Sequence, residues 1–274
     1  MVSERFYRKS GMVKLGGTAS NSHMQVFQGL EKLFRKRGID LDWVLYSGYD
    51  SMVDAFVRGE IDLAWNGPLS HVKMRRLAVG GCKVIAMRDV DIDFITHFIT
   101  RTDSGIETLE DLKDKSFAFG NRSSVQAGLL AYSFLKDSGI DPRKDLGANS
   151  FHDDRESQCK SDERDVLERV ANGEFHAGAV SQRAMETMAA DGSLPGHDIR
   201  IFWSSPGYSH CCFTSQKDLD PKLASEIESA FLSVTYNDPV GKLVLEGEEC
   251  ERFVPGNDEG WDRIEKAAEA EGLI

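Results

Sequence analysis

The side chains of this sequence that are best placed for chemistry are hydroxyl and amide groups at predicted helix starts. They lie in three small-residue loops, at residues 17–22, 47–51 and 121–124, each followed by a predicted helix. A helix start presents unpaired backbone N–H groups and about half a positive charge, so adjacent hydroxyls complete a site for a phosphate-like or carboxylate anion. The same residue types serve as ordinary helix N-caps, which is the commoner role for any single loop.

The histidines and cysteines form no recognised catalytic or metal-binding motif. The seven histidines include no His-x-x-x-His pair, and no loop has the glycine spacing of a dinucleotide or P-loop site. We therefore predict no metal, no cofactor and no catalytic residue. His152 follows a predicted strand and could donate to an anion or form a surface ion pair. For His210-Cys211-Cys212, both a catalytic thiol and a buried structural role stay open.

Composition excludes several classes of protein. The 274 residues carry 33 Lys and Arg against 45 Asp and Glu, a net charge of −12, so the long basic face of a nucleic-acid binder is missing. Hydrophobic residues make up 41%, enough for one large core or two modest ones. No apolar stretch approaches the 18 residues of a membrane span, so we predict no membrane insertion. Five cysteines, two of them adjacent, suit a reducing compartment better than a disulfide framework.

Strand and helix patterns alternate along the chain, which predicts an α/β fold with mainly parallel sheets. The pattern then restarts. Residues 37–40 (Arg-Gly-Ile-Asp) match 138–141 (Ser-Gly-Ile-Asp), and residues 52–64 match 166–179 as a helix, a Gly-Glu break and a small-residue strand. The sequence thus predicts two related lobes, each a sheet flanked by helices, with a ligand crevice between them.

The lobe boundaries follow from two long β-branched and aromatic segments. We predict hinge strands near 90–100 and 197–205, with lobe 1 formed by residues 1–97 and 206–274 and lobe 2 by 98–205. Helices at 221–235, at 239–246 and from Trp261 onward are then expected to pack on lobe 1.

Four segments carry a resemblance to a known family: residues 47–51 (Ser-Gly-Tyr-Asp-Ser), 59–68 (Gly-Glu-Ile-Asp-Leu-Ala-Trp-Asn-Gly-Pro), 121–124 (Asn-Arg-Ser-Ser) and 210–214 (His-Cys-Cys-Phe-Thr). The sequence resembles the phosphate, phosphite and phosphonate substrate-binding proteins of ABC transporters from about Met12 to Pro255. The resemblance implies a type 2 periplasmic-binding-protein fold that closes on a small oxyanion.

The resemblance also implies roles for particular residues. Tyr49 is similar to the family's ligand-contacting tyrosine, Ser123 and Ser124 to its phosphonyl-binding helix start, and His152 to its histidine donor. His71 and His176 depart from the family pattern, which often has Tyr and Asp there. Loops and resemblance together give the predicted ligand-binding residues Thr18, Ser20, Tyr49, Asn66, His97, Asn121, Ser123, Ser124, Gln126 and His152.

The expected function is therefore that of a solute-binding protein for ABC-type uptake, more a binding protein than an enzyme. Its partners would be a small anionic ligand and an ABC permease or a signalling protein. A cytosolic enzyme or a solute sensor on the same fold, using crevice His or Cys residues, is the alternative. The printed N-terminus has no apolar signal segment, so we expect a cytoplasmic protein, or a periplasmic or otherwise extracytoplasmic one if a leader precedes this sequence.

Overall fold

The structure, a computed structural model, describes residues 12–156, 159, 161–194 and 198–274. The polar N-terminal tail and residue 197, where the second hinge strand is predicted to begin, lie outside these ranges. The chain divides into two compact units. Unit 1 comprises the residues up to Ile92 together with Ser209–Trp261, and unit 2 comprises Asp93–Tyr208 and Asp262–Ile274. Within the described residues, no helix is long and apolar enough to span a membrane.

Unit 1 is a six-stranded sheet flanked by helices, with the strand order β11-β4-β10-β3-β1-β2. Its elements in chain order are β1 (Met12–Thr18), α1 (Asn21–Arg35), β2 (Asp40–Tyr46), α2 (Tyr49–Val57), β3 (Leu63–Asn66), α3 (Pro68–Leu77), β4 (Cys82–Arg88), β10 (Cys212–Gln216), α7 (Pro221–Leu232), α8 (Pro239–Gly247) and β11 (Phe253–Pro255). Strands β1 to β3 pair in parallel, whereas β10 runs antiparallel to both β3 and β4.

Unit 2 is a five-stranded sheet in the order β7-β6-β8-β5-β9, also flanked by helices. Its elements are β5 (Thr96–Arg101), β6 (Ser116–Ala118), a π-helical turn (Val125–Leu129) that leads into α4 (Leu130–Asp137), β7 (Ala148–Ser150), α5 (Asp162–Ala171), β8 (Ala177–Ser181), α6 (Gln182–Ala190), β9 (Ile199–Ser204) and α9 (Asp262–Ala270). The prediction of two α/β lobes is confirmed. Strands β5 and β10 run antiparallel to their neighbours. Each is the first strand after the chain passes from one unit into the other.

Each sheet is stabilised by apolar residues at the spacing that its helices require. In α1 the buried residues are Val26, Phe27, Leu30 and Phe34, which lie on one helix face and pack on the sheet. Phe34 meets Phe231 edge to face, with ring centroids 5.0 Å apart. In unit 2, Phe98 of β5 lies against aromatic rings of β6 and β9.

One position of the internal repeat, Asp62 in unit 1 and His176 in unit 2, hydrogen-bonds its own strand to a neighbouring strand. This role explains why His176 can depart from the family pattern. Asp62 donates its N–H to Lys14 O, and its carboxylate accepts from Lys14 N–H at 2.9 Å, which ties β3 to β1. His176 does the same in unit 2: its N–H donates to Ser116 O, and its Nδ1 accepts from Ser116 N–H at 3.1 Å. A neutral imidazole thus replaces the carboxylate as the acceptor that tethers the two strands.

The boundaries differ from the prediction for physical reasons. The chain passes between units at 92/93 and 208/209 rather than at 97/98 and 205/206, because β5 and β9 pair with each other inside the unit 2 sheet. A third passage occurs at 261/262. The last helix, α9, was expected on lobe 1. It packs instead on α4 and the π-helical turn of unit 2 through an apolar face that includes Ile264 and Ala268.

The first predicted loop also starts later than expected. Strand β1 continues through Gly16 and Gly17 to Thr18, so the loop is shortened to the two residues before α1. Glycine is required at Gly17 because a Cβ atom there would lie 2.6 Å from the Phe27 ring. The glycine pair therefore serves helix–sheet packing and not a ligand loop.

Candidate functional site

Ser124 begins the helical segment of unit 2 but does not act as its cap. Its carbonyl oxygen accepts from the N–H groups of Gly128 and Leu129, and its own N–H donates to Asn121 O. Its hydroxyl makes no capping bond. The Oγ atom is buried and has no hydrogen-bond partner within the described part of the chain. A buried hydroxyl in this state costs about 1–3 kcal/mol, which a ligand oxygen at the helix start would recover.

Two carboxylates and two glycines fix the shape of the loop at residues 120–128. Asp162 accepts from Asn121 N–H at 2.8 Å, and Asp153 accepts from Arg122 N–H at 2.7 Å. A Cβ atom on Gly128 would lie 1.9 Å from Asn121 O, and one on Gly120 would meet Asp162. The loop therefore folds tightly over the first helical turn, whose N–H groups have no intrahelical acceptors.

His152 and Gln126 lie beside this loop, and each already forms a hydrogen bond within the protein. His152 donates its backbone N–H to Gly120 O, and its Nδ1 lies 3.2 Å from Asp165 Oδ2 in an orientation that does not form a hydrogen bond. The Gln126 amide donates to Glu163 at 3.2 Å. Burial raises the pKa of Glu163, whose carboxyl also accepts from Ser181 N–H.

Thr18, Ser20 and Tyr49 lie in unit 1, around the start of α1. Ser20 accepts from His23 N–H at 3.0 Å and is therefore an ordinary N-cap. His23 donates through Nδ1 to Thr18 O at 2.7 Å, so the neutral ring presents Nε2 as an acceptor. Tyr49 is 49% exposed, yet the partial burial of its phenol raises its pKa, so the hydroxyl is neutral at pH 7.

His23 and Tyr49 line a cavity of about 240 Å³ that lies within unit 1. Its walls come from the starts of α1 and α2, the end of β3, the end of β4, and the residues that follow α8. The residues that line it are Ser22, His23, Tyr49, Trp65, Asn66, Gly67, Arg88, Cys211, Gly247, Glu248 and Glu249. The cavity thus combines an aromatic wall with carboxyl groups and one guanidinium, a composition suited to a small polar ligand group.

Asn66 is held in one orientation by the sheet. It is 1% exposed, and its Nδ2 donates to Ala64 O, Cys212 O and Thr214 Oγ1 at 2.8–3.0 Å. Both carbonyls can only accept, so the amide cannot be flipped. Thr214 in turn lies 2.9 Å from His71 Nδ1. Burial lowers the pKa of His71 to about 3, so the ring is neutral and its Nδ1 can accept from the Thr214 hydroxyl.

Arg88 enters the cavity wall with its charge already compensated. Its Nε and Nη2 donate to the two carboxylate oxygens of Asp91 at 2.5 and 3.0 Å, and Nη1 donates to Glu248 O at 2.8 Å. The guanidinium also lies 5.1 Å from the Trp65 ring centroid. Arg88 is therefore held as one partner of a buried ion pair.

His210 and Cys211 do not form a catalytic relay. His210 Nδ1 lies 3.2 Å from both Asp91 Oδ1 and Cys211 Sγ, whereas a nucleophile–His–Asp triad uses the two different ring nitrogens. Burial opposes a charge on His210, but Cys211 and Asp91 outweigh it and raise the pKa of the ring. The ligand atoms of Asp91, His210 and Cys211 lie within 4.8 Å of one another, but Arg88 holds both Asp91 oxygens and its charge opposes a cation.

Glu249 occupies a backbone conformation that usually belongs to glycine. Its φ is +52°, its N–H donates to Glu246 O, and Cys250 N–H donates to Leu245 O, which is a Schellman ending of α8. We expect Glu249→Gly to raise the free energy of unfolding by about 1 kcal/mol, because an L-residue pays that cost in the left-handed region. Urea denaturation measures it. The control Glu246→Gly, inside α8, should lower the same free energy, and a loss of stability in both variants would contradict this account.

The predicted ligand residues fall into two groups. Tyr49 and Asn66 line the unit 1 cavity, and Thr18 and Ser20 hydrogen-bond His23 of its wall. Asn121, Ser123, Ser124, Gln126 and His152 lie around the unit 2 helix start. His97 belongs to neither group. It lies in β5 with Nδ1 2.8 Å from Ser204 Oγ, and burial lowers its pKa.

Sequence reasoning missed several cavity residues. Arg88, Glu248, Glu249 and His23 belong to no motif, and nothing in their spacing singles them out. Cys211 was noticed as unusual but not placed in a cavity. Glu249 alone occupies the left-handed position after α8 that usually has glycine.

Comparison with known proteins gives a consistent family match. The sequence model described as "ABC transporter, phosphonate, periplasmic substrate-binding protein" matches residues 18–261. The "Probable ABC transporter phosphite binding protein PhnD1" of Prochlorococcus marinus is 24% identical over 250 residues, which are 86% of this chain and 80% of that protein. The "Phosphate-import protein PhnD" of Mycolicibacterium smegmatis is 23% identical over 74% of this chain, which spans 64% of that protein, less than two thirds of its length.

Solved structures agree on the fold. PhnD1 from Prochlorococcus marinus in complex with methylphosphonate has a TM-score of 0.70 at 22% identity, covering 96% of this chain and 99% of that one. XAC2383 from Xanthomonas citri bound to chloride has a TM-score of 0.72 at 18% identity, covering 97% and 100%. Both likenesses support the two-lobed type 2 fold. Because the family match extends over most of the sequence, the protein belongs to the phosphonate-type periplasmic substrate-binding proteins of ABC transporters.

Proposed function

We propose that this protein binds a small phosphonate-type oxyanion and delivers it to an ABC permease. The observation that carries the proposal is the buried Ser124 hydroxyl, which has no protein partner in the described residues and lies at the start of a helix. The helix dipole and the first-turn N–H groups favour a negative charge there. The relative named as a phosphite-binding protein and the neighbour bound to methylphosphonate support this ligand class.

The ligand test is thermal denaturation with phosphate, phosphite, methylphosphonate and sulfate. A ligand present at a hundred times its dissociation constant adds about 2.7 kcal/mol of stability, which shifts the melting temperature measurably. We expect a phosphorus oxyanion to produce the shift. If none of these anions raises the melting temperature, the proposal is wrong.

Replacing Ser124 by Ala tests the site itself. We expect the binding free energy of the preferred anion to fall by about 1–3 kcal/mol, because the hydroxyl loses its hydrogen bond to the ligand. Titration calorimetry on both proteins provides the measurement.

The matched control is Ser161→Ala in the same unit. Ser161 caps α5 by accepting from Arg164 N–H at 3.3 Å, so its loss should cost about 1 kcal/mol of stability and leave affinity unchanged. Equal anion affinities in the wild type and Ser124→Ala would give Ser124 a purely structural role.

Three points stay predictions: that a permease receives the ligand, that the ligand lies in a crevice between the lobes, and which cellular compartment holds the protein. Five free cysteines agree with a reducing compartment, whereas the family's role in uptake favours a location outside the cytoplasmic membrane. We propose the second location, since uptake requires that the binding protein meet its ligand outside the cell membrane. Fractionation of cells that express the full reading frame tests it: recovery from the cytoplasm alone would favour the sensor alternative.

A further inference from the structure

We propose that Arg155 is a positioning residue for the oxyanion site of unit 2. Its side chain holds the ends of β6 and β7 together, so that the helix start at Ser124 and the side chain of His152 keep a fixed separation. This inference rests on the proposed function and adds to it a residue that acts on the ligand only through its neighbours.

The first step of the argument is that both parts of the oxyanion site follow strand ends. The loop at residues 120–128 follows β6 and His152 follows β7, and these two strands pair in parallel. At the end of the ladder, Phe119 N–H donates to Ser150 O at 2.9 Å, and His152 N–H donates to Gly120 O at 3.1 Å. A group that holds these two strand ends therefore sets the distance between the loop and His152.

The second step is that the guanidinium of Arg155 reaches both strand ends. Nη2 donates to Phe119 O at 2.8 Å, and Nη1 donates to Ser150 O at 2.6 Å. Nε donates to Asp165 Oδ2 at 2.9 Å, which ties the same side chain to α5. The side chain is 6% exposed, so water competes little for these hydrogen bonds. Because the guanidinium is planar and rigid, it fixes the separation of the two carbonyls.

The third step is that the backbone of Arg155 holds the turn that carries His152. Arg155 N–H donates to His152 O at 3.1 Å and closes the 3-10 turn at residues 152–154. Asp153 of the same turn accepts from Arg122 N–H in the loop at 2.7 Å. Arg155 thus contacts β6, β7 and the His152 turn, and a change in its side chain should shift His152 relative to Ser124.

Arg169 provides a comparison within the same cluster. Its Nε donates to Asp165 Oδ1 at 2.9 Å, so the two arginines share one buried carboxylate. The other donors of Arg169 reach the Glu174 carboxylate and Glu156 O, and neither residue belongs to β6 or β7. Replacing Arg169 should therefore affect stability without moving the oxyanion site.

The test is titration calorimetry of Arg155→Lys with methylphosphonate, phosphite and phosphate, at a temperature where circular dichroism shows the helix content of the wild type. Lysine keeps the positive charge, but its single nitrogen cannot replace the planar fork. We expect each anion that the wild type binds to lose affinity by about tenfold, the loss of roughly one well-aligned hydrogen bond. The control Arg169→Lys should lose stability but keep its affinity within about twofold of the wild type.

A double-variant cycle with Ser124→Ala distinguishes positioning from a general loss of structure. If Arg155 acts through the loop, its replacement should matter less once the Ser124 hydroxyl is absent. We expect Arg155→Lys to weaken binding about tenfold in the wild-type background and about threefold in the Ser124→Ala background. Equal fold losses in the two backgrounds would contradict a positioning role.

The outcomes separate this inference from the proposed function. If the wild type binds an oxyanion and Arg155→Lys binds it equally well, or if Arg155→Lys and Arg169→Lys lose equal affinity, the inference is overturned and the proposed function stands. If the wild type binds none of the three anions, the proposed function is overturned and the inference with it. Should Arg155→Lys not fold, Arg155→Gln takes its place with the same expected loss, because its amide keeps a donor and buries no charge.

Discussion

Replacing Asp91 by Asn is expected to lower the free energy of unfolding by about 3–5 kcal/mol, because removal of one partner from a buried ion pair leaves the other charge uncompensated. Asp91 is fully buried, holds the Arg88 guanidinium with both oxygens, and lies 3.2 Å from His210 Nδ1. In the variant, Arg88 keeps only the more distant Glu248 carboxyl, at 3.7 Å, as an opposite charge. Chemical denaturation monitored by circular dichroism measures the change.

The control for Asp91 is an exposed pair of the same chemistry. Arg101 donates to both oxygens of Asp103, but both side chains are solvent-accessible, so Asp103→Asn should leave the unfolding free energy nearly unchanged. If the two Asp→Asn variants lose similar stability, burial is not what gives the Arg88–Asp91 pair its importance.

Lowering the pH from 6.5 to 4.5 is expected to cost the wild-type protein about 2 kcal/mol through His71 alone. Burial lowers the pKa of His71 to about 3, against 6.5 for an unperturbed ring. Below pH 6.5 the unfolded chain binds a proton that the folded protein does not. The contribution of His71 is therefore fully present above pH 6.5 and is lost as the pH falls toward 3.

The variant that isolates this effect is His71→Asn, whose amide oxygen can replace Nδ1 as the acceptor for the Thr214 hydroxyl. Its absolute stability should be lower at pH 7, because the ring contact with Trp261, at 4.2 Å between centroids, is lost. Its stability should nevertheless decline less steeply between pH 6.5 and 4.5. Denaturation curves at several pH values provide the slopes, and identical slopes in both proteins would contradict the assignment.

Most positions of the family pattern at residues 59–68 have a local structural reason, and Asp62 adds a bond to a residue 48 positions away. Gly59 adopts φ +71° after α2, Asp62 tethers β3 to β1, Gly67 caps α3, and Pro68 takes its first turn. The polar loop at residues 121–124 was also predictable, since small polar residues precede a helix. Local chemistry therefore accounts for these features, apart from the Asp62 tether.

Which hydroxyl acts as a helix cap could not be read in the same way. Ser20 and Ser124 both precede helices in small-residue loops, yet Ser20 caps its helix and Ser124 does not. The difference arises from neighbours far along the chain. Asp162 and Asp153 bind the loop amides before Ser124 and give the loop its shape, so the Ser124 hydroxyl is buried beside the helix start instead of capping it.

By itself the sequence predicted two α/β lobes, because periodicity and capping residues act over a few neighbouring positions. The oxyanion family came from the resemblance carried by four short segments. The tertiary structure alone decided that α9 belongs to unit 2, that His176 replaces an aspartate as a strand tether, and that Arg88, Asn66 and Glu249 border one cavity. These residues are brought together by strand pairing and by the end of α8, and such contacts leave no pattern in the local sequence.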